Sequence, residues 1–318
     1  MEYYHLVTRI PSHAIDPVND WMFWKKRYDE PMIEKIQKGS ENHLPIIDMH
    51  VHIYPMTLAR RAMAVAGREH DDLEKLPVKE NLWKRMEEEN VALSVVQHVT
   101  SKPATQTDVN RFASEIVRTN VISFGGLHPD CENVIEEIEK LKDLRMAGIK
   151  FHPPFQKVDF SDEKYIPMWK HINHLGFPVL IHCGRARGEG VYDLFPSGVL
   201  KFIKYLSDVP VVLAHMGGRS GSPVEEEILF NLPENVYIDT AMSAERQSLE
   251  DFERLASAMG PERVVFGSDF PYGTQKAAIE FIRNSKFSES EKAMMLGGNA
   301  EKFLGDAVSL ARVSGVRF

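Results

Sequence analysis

From residue 45 onward, short apolar runs alternate with longer segments in which apolar residues recur every three or four positions. Short runs of this kind predict β-strands, and the longer segments predict amphipathic α-helices. The predicted strands are the eight segments IIDMH, ALSVVQHV, VISFGGLH, AGIKFH, PVLIHC, VPVVLAHM, NVYIDTA and RVVFGSD. The predicted helices include VNRFASEIVRTN, ENVIEEIEKLKDLRM, DEKYIPMWKHINHLG, SAERQSLEDFERLASAMG and TQKAAIEFIRNS.

Strands that alternate with helices predict a parallel sheet, because a parallel neighbour needs a crossover connection. Eight such units in succession favour a closed (β/α)8 TIM barrel. The rival open sheet usually carries a glycine-rich turn after its first strand, where this chain has HVHIYP. We therefore predict a single α/β domain over residues 45–318. The stretch 53–90 exceeds an ordinary connection and is long enough for a lid or substrate loop.

Residues 1–44 lack this alternation and form a predicted N-terminal extension. The extension mixes aromatic residues, prolines and charges, including Trp21, Phe23 and Trp24. Aromatic side chains in this arrangement favour packing on the barrel or on a partner, which is compatible with a homodimer.

Composition narrows the class of protein. The formal net charge of -8 argues against nucleic acid as a partner. No apolar run reaches the roughly 18 residues of a membrane span, and the polar start lacks the apolar core of a secretory signal. Cys131 and Cys183 are the only cysteines, so a disulfide framework is not expected. We expect a cytoplasmic protein that binds no membrane.

Two histidines stand one residue apart in PIIDMHVHIYP. Because alternate strand residues point to the same side, His50 and His52 are predicted to share a face with Asp48. Other strongly apolar strands also end in polar residues, namely His182, His215 and Asp269. The carboxyl ends of barrel strands carry the active site, and buried polar groups are costly unless paired or metal-bound. The sequence therefore predicts one convergent site.

The motifs IIDMHVH, GIKFHPPFQ, PVLIHCG, VVLAHMGG, VVFGSDFPYG and GGNAEKFLG resemble the amidohydrolase superfamily, and more narrowly its amidohydrolase-related branch of metal-dependent barrel enzymes. The resemblance covers about residues 45–305. It implies one divalent ion, with Zn favoured and Mn as the alternative, held by His50, His52, His182 and Asp269. It also implies that His215 is catalytic. In binuclear members a carboxylated lysine bridges two ions, and Lys150 makes that arrangement the less favoured alternative.

The leading functional hypothesis is a metal-dependent hydrolase. A bound ion can activate water to attack an amide, ester or lactone, with Asp269 moving the proton and His215 stabilising the oxyanion. Cations at the predicted barrel mouth indicate a small anionic substrate. They are Lys150, His152, His128, Arg185 and Arg219. Two alternatives stay open: a non-oxidative decarboxylase of an aromatic or unsaturated acid, which the same branch contains, and a barrel that binds without catalysis.

Overall fold

The computed structural model describes residues 44–305, except 66, 69–71, 119 and 187–189. The eight predicted strands are all present. They are β1 Ile46–Val51, β2 Val91–Gln97, β3 Val121–Gly126, β4 Gly148–Phe151, β5 Val179–Ile181, β6 Val211–Leu213, β7 Val236–Asp239 and β8 Val264–Val265. Each strand pairs in parallel with the next, in the order β1 to β8. The predicted extension, apart from Leu44, lies outside the described residues.

The sheet closes on itself through the segment that follows β8. The amide of Met49 donates to the carbonyl of Phe266 at 2.8 Å, and the amide of Asp269 donates to the carbonyl of His50 at 2.8 Å. An isolated parallel bridge joins Val51 to Phe270. These contacts confirm the predicted (β/α)8 barrel.

Helices fill the connections between the strands. They are α1 Met56–Val65, α2 Lys79–Glu88, α3 Gln106–Glu115, α4 Val134–Asp143, α5 Pro153–Gln156, α6 Ile166–Leu175, α7 Pro196–Val199, α8 Pro223–Phe230, α9 Ser243–Arg246, α10 Leu249–Met259, α11 Gln275–Arg283, α12 Glu289–Ala293 and α13 Asn299–Leu304. Short 3-10 turns cover Leu73–Lys75, Pro103–Thr105, Glu163–Tyr165, Ile203–Tyr205 and Pro261–Arg263. The described residues of the long connection after β1 therefore include the two helices α1 and α2. No helix among the described residues has the length and apolar character needed to cross a bilayer.

Two apolar layers hold the barrel together. The outer layer lies between strands and helices, where Phe151, Trp169 and Phe202 are almost fully buried. The inner layer consists of side chains that point into the barrel, including Ile47, Leu93, Phe124, Leu180, Val212 and Val265. Ala300, Phe303 and Leu304 of α13 belong to this inner cluster. Helix α13 therefore packs against the inner layer and seals it.

The two adjacent glycines in MMLGGNAEKFLG do not interrupt the helical path. Met294–Gly298 forms a π-helical turn that joins α12 to α13 without interruption. A Cβ on Gly297 would lie 1.7 Å from the carbonyl oxygen of Pro45, just before β1. Gly297 therefore allows the close approach of this turn to the start of β1 and does not end a helix.

Candidate metal centre

The inner face of the barrel changes from apolar to polar toward the carboxyl ends of the strands. On β7, buried Asp239 follows Tyr237 at the next inward position. On β4, fully buried Lys150 lies close to the same centre. This change concentrates imidazole, carboxylate and ammonium groups in one place, and such groups are tolerated there only if they contact one another or a ligand.

Three of the predicted metal ligands meet at this end. The Nε2 atoms of His50 and His52 are 3.1 Å apart. The Oδ1 atom of Asp269 lies 3.6 Å from His50 Nε2 and 3.3 Å from His52 Nε2. These three buried residues form a group whose ligand atoms all lie within 4.8 Å of one another. We call them the ligand group.

Hydrogen bonds on the far side of each ring orient the two imidazoles. His50 Nδ1 is 2.7 Å from Asp239 Oδ2, and His52 Nδ1 is 2.8 Å from the carbonyl oxygen of Gln97. Because a carbonyl and a carboxylate only accept, both Nδ1 atoms carry the proton. In the neutral rings the Nε2 lone pairs then face each other and Asp269. Three electron-rich atoms in close contact fit a divalent cation, and such outer hydrogen bonds are typical of metal-binding histidines.

His182 and His215 form a second pair beside the ligand group. His215 Nδ1 is 3.2 Å from the carbonyl oxygen of Ala241, and its Nε2 is 3.0 Å from His182 Nδ1. Donation to that carbonyl places a proton on His215 Nδ1, so His215 Nε2 accepts from His182. His182 Nε2 then holds a lone pair, and this atom is buried without a hydrogen-bond partner among the described residues. An orphaned buried nitrogen lone pair also fits a metal ligand, although His182 is not part of the ligand group.

Asp239 is a site residue that sequence reasoning missed. Besides contacting His50, it accepts hydrogen bonds through Oδ1 from the amides of His215 at 2.7 Å and Ala241 at 3.1 Å. The bond to His215 holds a residue whose backbone lies in the left-handed region, with φ of 59°. Asp239 ends an apolar strand, as the predicted ligands do, and that signal could have identified it.

Burial dominates the electrostatics of the site. It lowers the pKa of His50, His182 and His215, and nearby Lys150 lowers them further. Burial also lowers the pKa of Lys150 to about 8, against the opposing effect of Asp239 and Asp269. For Asp269, burial alone would raise the pKa, but the neighbouring histidines, led by His50, more than offset this and the net shift is downward. The imidazoles of His50, His182 and His215 are thus held neutral near an ionised carboxylate.

The remaining predicted residues lie around this centre at different distances. Lys150 Nζ is 3.3 Å from His50 Nε2. The His152 ring stacks on the His182 ring, with centroids 3.9 Å apart. His128 is buried at the end of β3, and its Nδ1 accepts from the amide of Asp130. Arg219 donates to the carbonyl of Met242 at 3.0 Å, and Arg185 is exposed.

Asp48 does not share the face of His50 and His52, contrary to the expectation from strand alternation. Its carboxylate accepts from Ser268 Oγ at 2.6 Å and from Gln275 Nε2 at 2.9 Å. The register between β1 and β2 shifts between Asp48 and Val51, so simple alternation fails at this point.

Comparisons with known proteins identify the family of this chain. The family model described as Amidohydrolase matches residues 47–305. A 6-methylsalicylic acid decarboxylase of Aspergillus aculeatus is 25% identical over 310 residues, which cover 79% of this chain and 91% of that protein. A 2-amino-3-carboxymuconate-6-semialdehyde decarboxylase of Dictyostelium discoideum is 23% identical, covering 73% of this chain and 72% of that protein.

A solved structure has a similar fold. It is the dihydroxybenzoic acid decarboxylase of a Polaromonas species with bound manganese and the inhibitor 2-nitroresorcinol. Its TM-score is 0.65 at 17% identity, and the match covers 82% of this chain and 97% of that chain.

Proposed function

The chain belongs to the amidohydrolase family, and we propose that it is a metal-dependent, non-oxidative decarboxylase of a small aromatic or unsaturated carboxylic acid. The proposal depends on one combined observation. The chain contains the ligand group, and it matches relatives that are named decarboxylases over most of the length of those relatives. The leading sequence hypothesis was a hydrolase, and these relatives favour its stated alternative.

His50, His52 and Asp269 would hold one divalent ion, with His182 as the fourth ligand. This donor set of imidazoles and one carboxylate suits several first-row ions. Zinc is the ion expected from the sequence, and the similar Polaromonas structure contains manganese. When bound, the ion supplies a Lewis acid that stabilises negative charge on substrate oxygen.

The reaction breaks the bond between the carboxylate carbon and its neighbour. The electron pair stays on the neighbouring carbon, which takes up one proton, and carbon dioxide leaves. Asp269 is the residue we assign to this proton transfer, because its carboxylate lies within 3.6 Å of both imidazoles of the ligand group and can carry a proton from solvent to a substrate carbon bound there. His215 lies beside it and donates to the Ala241 carbonyl, so its ring is oriented toward the centre.

Lys150 supports an acid as the substrate. Its side chain is fully buried and forms no salt bridge among the described residues. An ammonium group in this position can bind a substrate carboxylate, which would compensate its desolvation.

The test is carbon dioxide release by the purified full-length chain. Carboxyl-labelled 6-methylsalicylate and 2,6-dihydroxybenzoate are supplied as the acids, and a panel of lactones and amides tests the hydrolase hypothesis. We expect labelled carbon dioxide from at least one acid and no lactone opening, with activity lost after treatment with a chelator. Turnover of a lactone without decarboxylation of any acid would reject the proposal in favour of hydrolysis.

Asp269→Asn provides the matching variant. We expect its kcat to fall by about 10²- to 10⁴-fold, because a general acid–base group contributes that much. Asp108→Asn, on the exposed face of α3, is the matched control and is expected to keep full activity. Circular dichroism establishes that both variants are folded, and near-normal turnover by Asp269→Asn would contradict the assigned role.

A further inference from the structure

The strand β1 contains a β-bulge between Asp48 and Val51. These two residues lie opposite Ser94 and Val96 of β2, so three steps along β1 correspond to two steps along β2. One extra residue is therefore inserted into β1 at this point. The side-chain directions agree, because Met49 belongs to the inner apolar layer and Val51 to the outer layer, whereas in a regular strand the two would share a face.

The bulge is the reason that both histidines of β1 point into the barrel. In a regular strand with Met49 on the inner face, His50 and His52 would point outward, toward the helices. The extra residue reverses the alternation, as a slip of one residue does in any strand. Both imidazoles then meet Asp269 inside the barrel. The ligand group therefore depends on the bulge.

A bulge interrupts the ladder of backbone hydrogen bonds, and the side chain of Gln97 on β2 compensates for the interruption. The amide of Met49 donates toward the β8 side, to the carbonyl of Phe266 at 2.8 Å. The carbonyl of Met49 instead accepts from Gln97 Nε2 at 2.8 Å. Met49 and Gln97 are both buried, and a buried carbonyl without a donor is costly. Gln97 thus stabilises the bulged conformation of β1.

The same residue orients the second imidazole. The main-chain carbonyl of Gln97 accepts from His52 Nδ1 at 2.8 Å. The carbonyl of Met49 only accepts, so the NH2 group of Gln97 must face it and the orientation of the amide is fixed. Gln97 Oε1 is buried without a partner among the described residues, so the bond from Nε2 is the contact that orients this side chain. Gln97 therefore contacts β1 on both sides of His50.

We propose that Gln97 is a positioning residue of the metal centre. Its side chain stabilises the bulge at Met49, and the bulge keeps His50 and His52 in the ligand group. Gln97 acts through the backbone of β1 and needs no contact with the ion or the substrate. This inference rests on the metal site of the proposed function and does not depend on the reaction that follows.

Gln97→Met tests the role of the side chain, because methionine has a similar length but no hydrogen-bond donor. We expect the affinity of the full-length protein for zinc or manganese to fall about 10- to 100-fold, the range typical for loss of an outer contact at a metal site. Competition with a fluorescent chelator measures the affinity. Unchanged affinity in a folded Gln97→Met protein would overturn the inference.

Gln275→Met is the matched control. Gln275 is also buried, and its Nε2 donates to a residue of β1, the Oδ2 atom of Asp48 at 2.9 Å. We expect both variants to lose stability in urea denaturation, but Gln275→Met to keep metal affinity within about twofold because it contacts no residue of the ligand group. An equal loss of affinity in both variants would assign the effect to general destabilisation and reject the inference.

Gln97→Asn covers the case in which Gln97→Met does not fold. Asparagine keeps the amide but is one methylene shorter, so its donor is withdrawn from the Met49 carbonyl, and metal affinity is expected to fall in the same direction. Failure of both variants to fold by circular dichroism would make Gln97 a folding residue and reject its positioning role.

Nuclear magnetic resonance of isotope-labelled histidine in the full-length protein, before metal is added, separates this inference from the proposed function. The Nδ1 proton of His50 contacts the Asp239 carboxylate, and its signal is expected to shift or disappear in Gln97→Met and to stay unchanged in Gln275→Met. A shifted signal in a protein that binds no metal would reject the metal site and leave the bulge role standing. An unchanged signal, with normal metal binding and carbon dioxide release by Gln97→Met, would do the reverse.

Discussion

Substitution of Asp239 by asparagine tests whether Asp239 orients His50 for metal binding or only stabilises the fold. The buried Asp239 carboxylate contacts His50 through Oδ2 and the amides of His215 and Ala241 through Oδ1. An asparagine side chain has one accepting oxygen and one donating NH2 group, so its oxygen can face either His50 or the two backbone amides, but not both. Turning the NH2 group toward the two backbone amides would leave both amides without an acceptor, at about 1–3 kcal/mol each. The oxygen is therefore expected to stay with the backbone, and the NH2 group to face His50.

This substitution is expected to change the tautomer of His50. Because His50 Nδ1 then faces an NH2 donor, it must accept a hydrogen bond, so the proton of the neutral ring moves to Nε2. Nε2 then offers no lone pair to the ligand group. Loss of such an outer hydrogen bond typically weakens metal binding about 10- to 100-fold, equivalent to about 1.4–2.8 kcal/mol.

Competition with a fluorescent chelator measures this effect on zinc or manganese affinity. Asp48→Asn is the matched control, because Asp48 is also a buried hydrogen-bonded carboxylate. It lies on β1 and its side chain accepts from Ser268, Gln275 and the backbone amide of His50, and it contacts no imidazole that the structure describes. We expect metal affinity to fall in Asp239→Asn and to stay within about twofold in Asp48→Asn, with both proteins folded by circular dichroism. Unchanged affinity in Asp239→Asn, or an equal loss in both variants, would refute the tautomer reasoning.

Two further substitutions test the metal count and the barrel seal. Lys150→Met is expected to keep one metal equivalent per chain by elemental analysis, because the ligand group does not include Lys150. A fall from two equivalents to one, together with a carboxylated lysine in the mass spectrum of the parent protein, would support the binuclear alternative. Phe303→Ala is expected to cost about 3–5 kcal/mol in urea denaturation, because Phe303 is almost fully buried against Tyr237, and to leave metal content unchanged. A loss under 1 kcal/mol would contradict the sealing role.

The sequence pattern of apolar strands that end in polar residues predicted much of the fold and of the site. His50, His52 and Asp269 each carry that signal, and they meet as predicted because every strand of a parallel barrel ends on the same side. Asp239 carries the same signal. It was missed because its role depends on which imidazole it contacts, and a single sequence does not specify that contact.

Other features depend on local geometry that periodicity cannot encode. Alternation along β1 predicted that Asp48 faces the metal centre, but the register shift between Asp48 and Val51 turns its carboxylate toward Gln275. The pairing of His182 with His215 likewise depends on the left-handed turn that begins at His215. Backbone angles of this kind are uncommon outside glycine and are not predicted from residue type alone.

The geometry of the ligand group is a consequence of how the barrel closes. The amide of Asp269 donates to the carbonyl of His50, so one hydrogen bond across the seam joins two of the three ligands through their backbones. Asp269 itself has a left-handed backbone, with φ of 60°. Backbone strain of this kind persists only where the surrounding structure enforces it, and it occurs preferentially at functional sites. The seam therefore fixes Asp269 beside His50 before any ion binds, which lowers the conformational entropy cost of assembling the site.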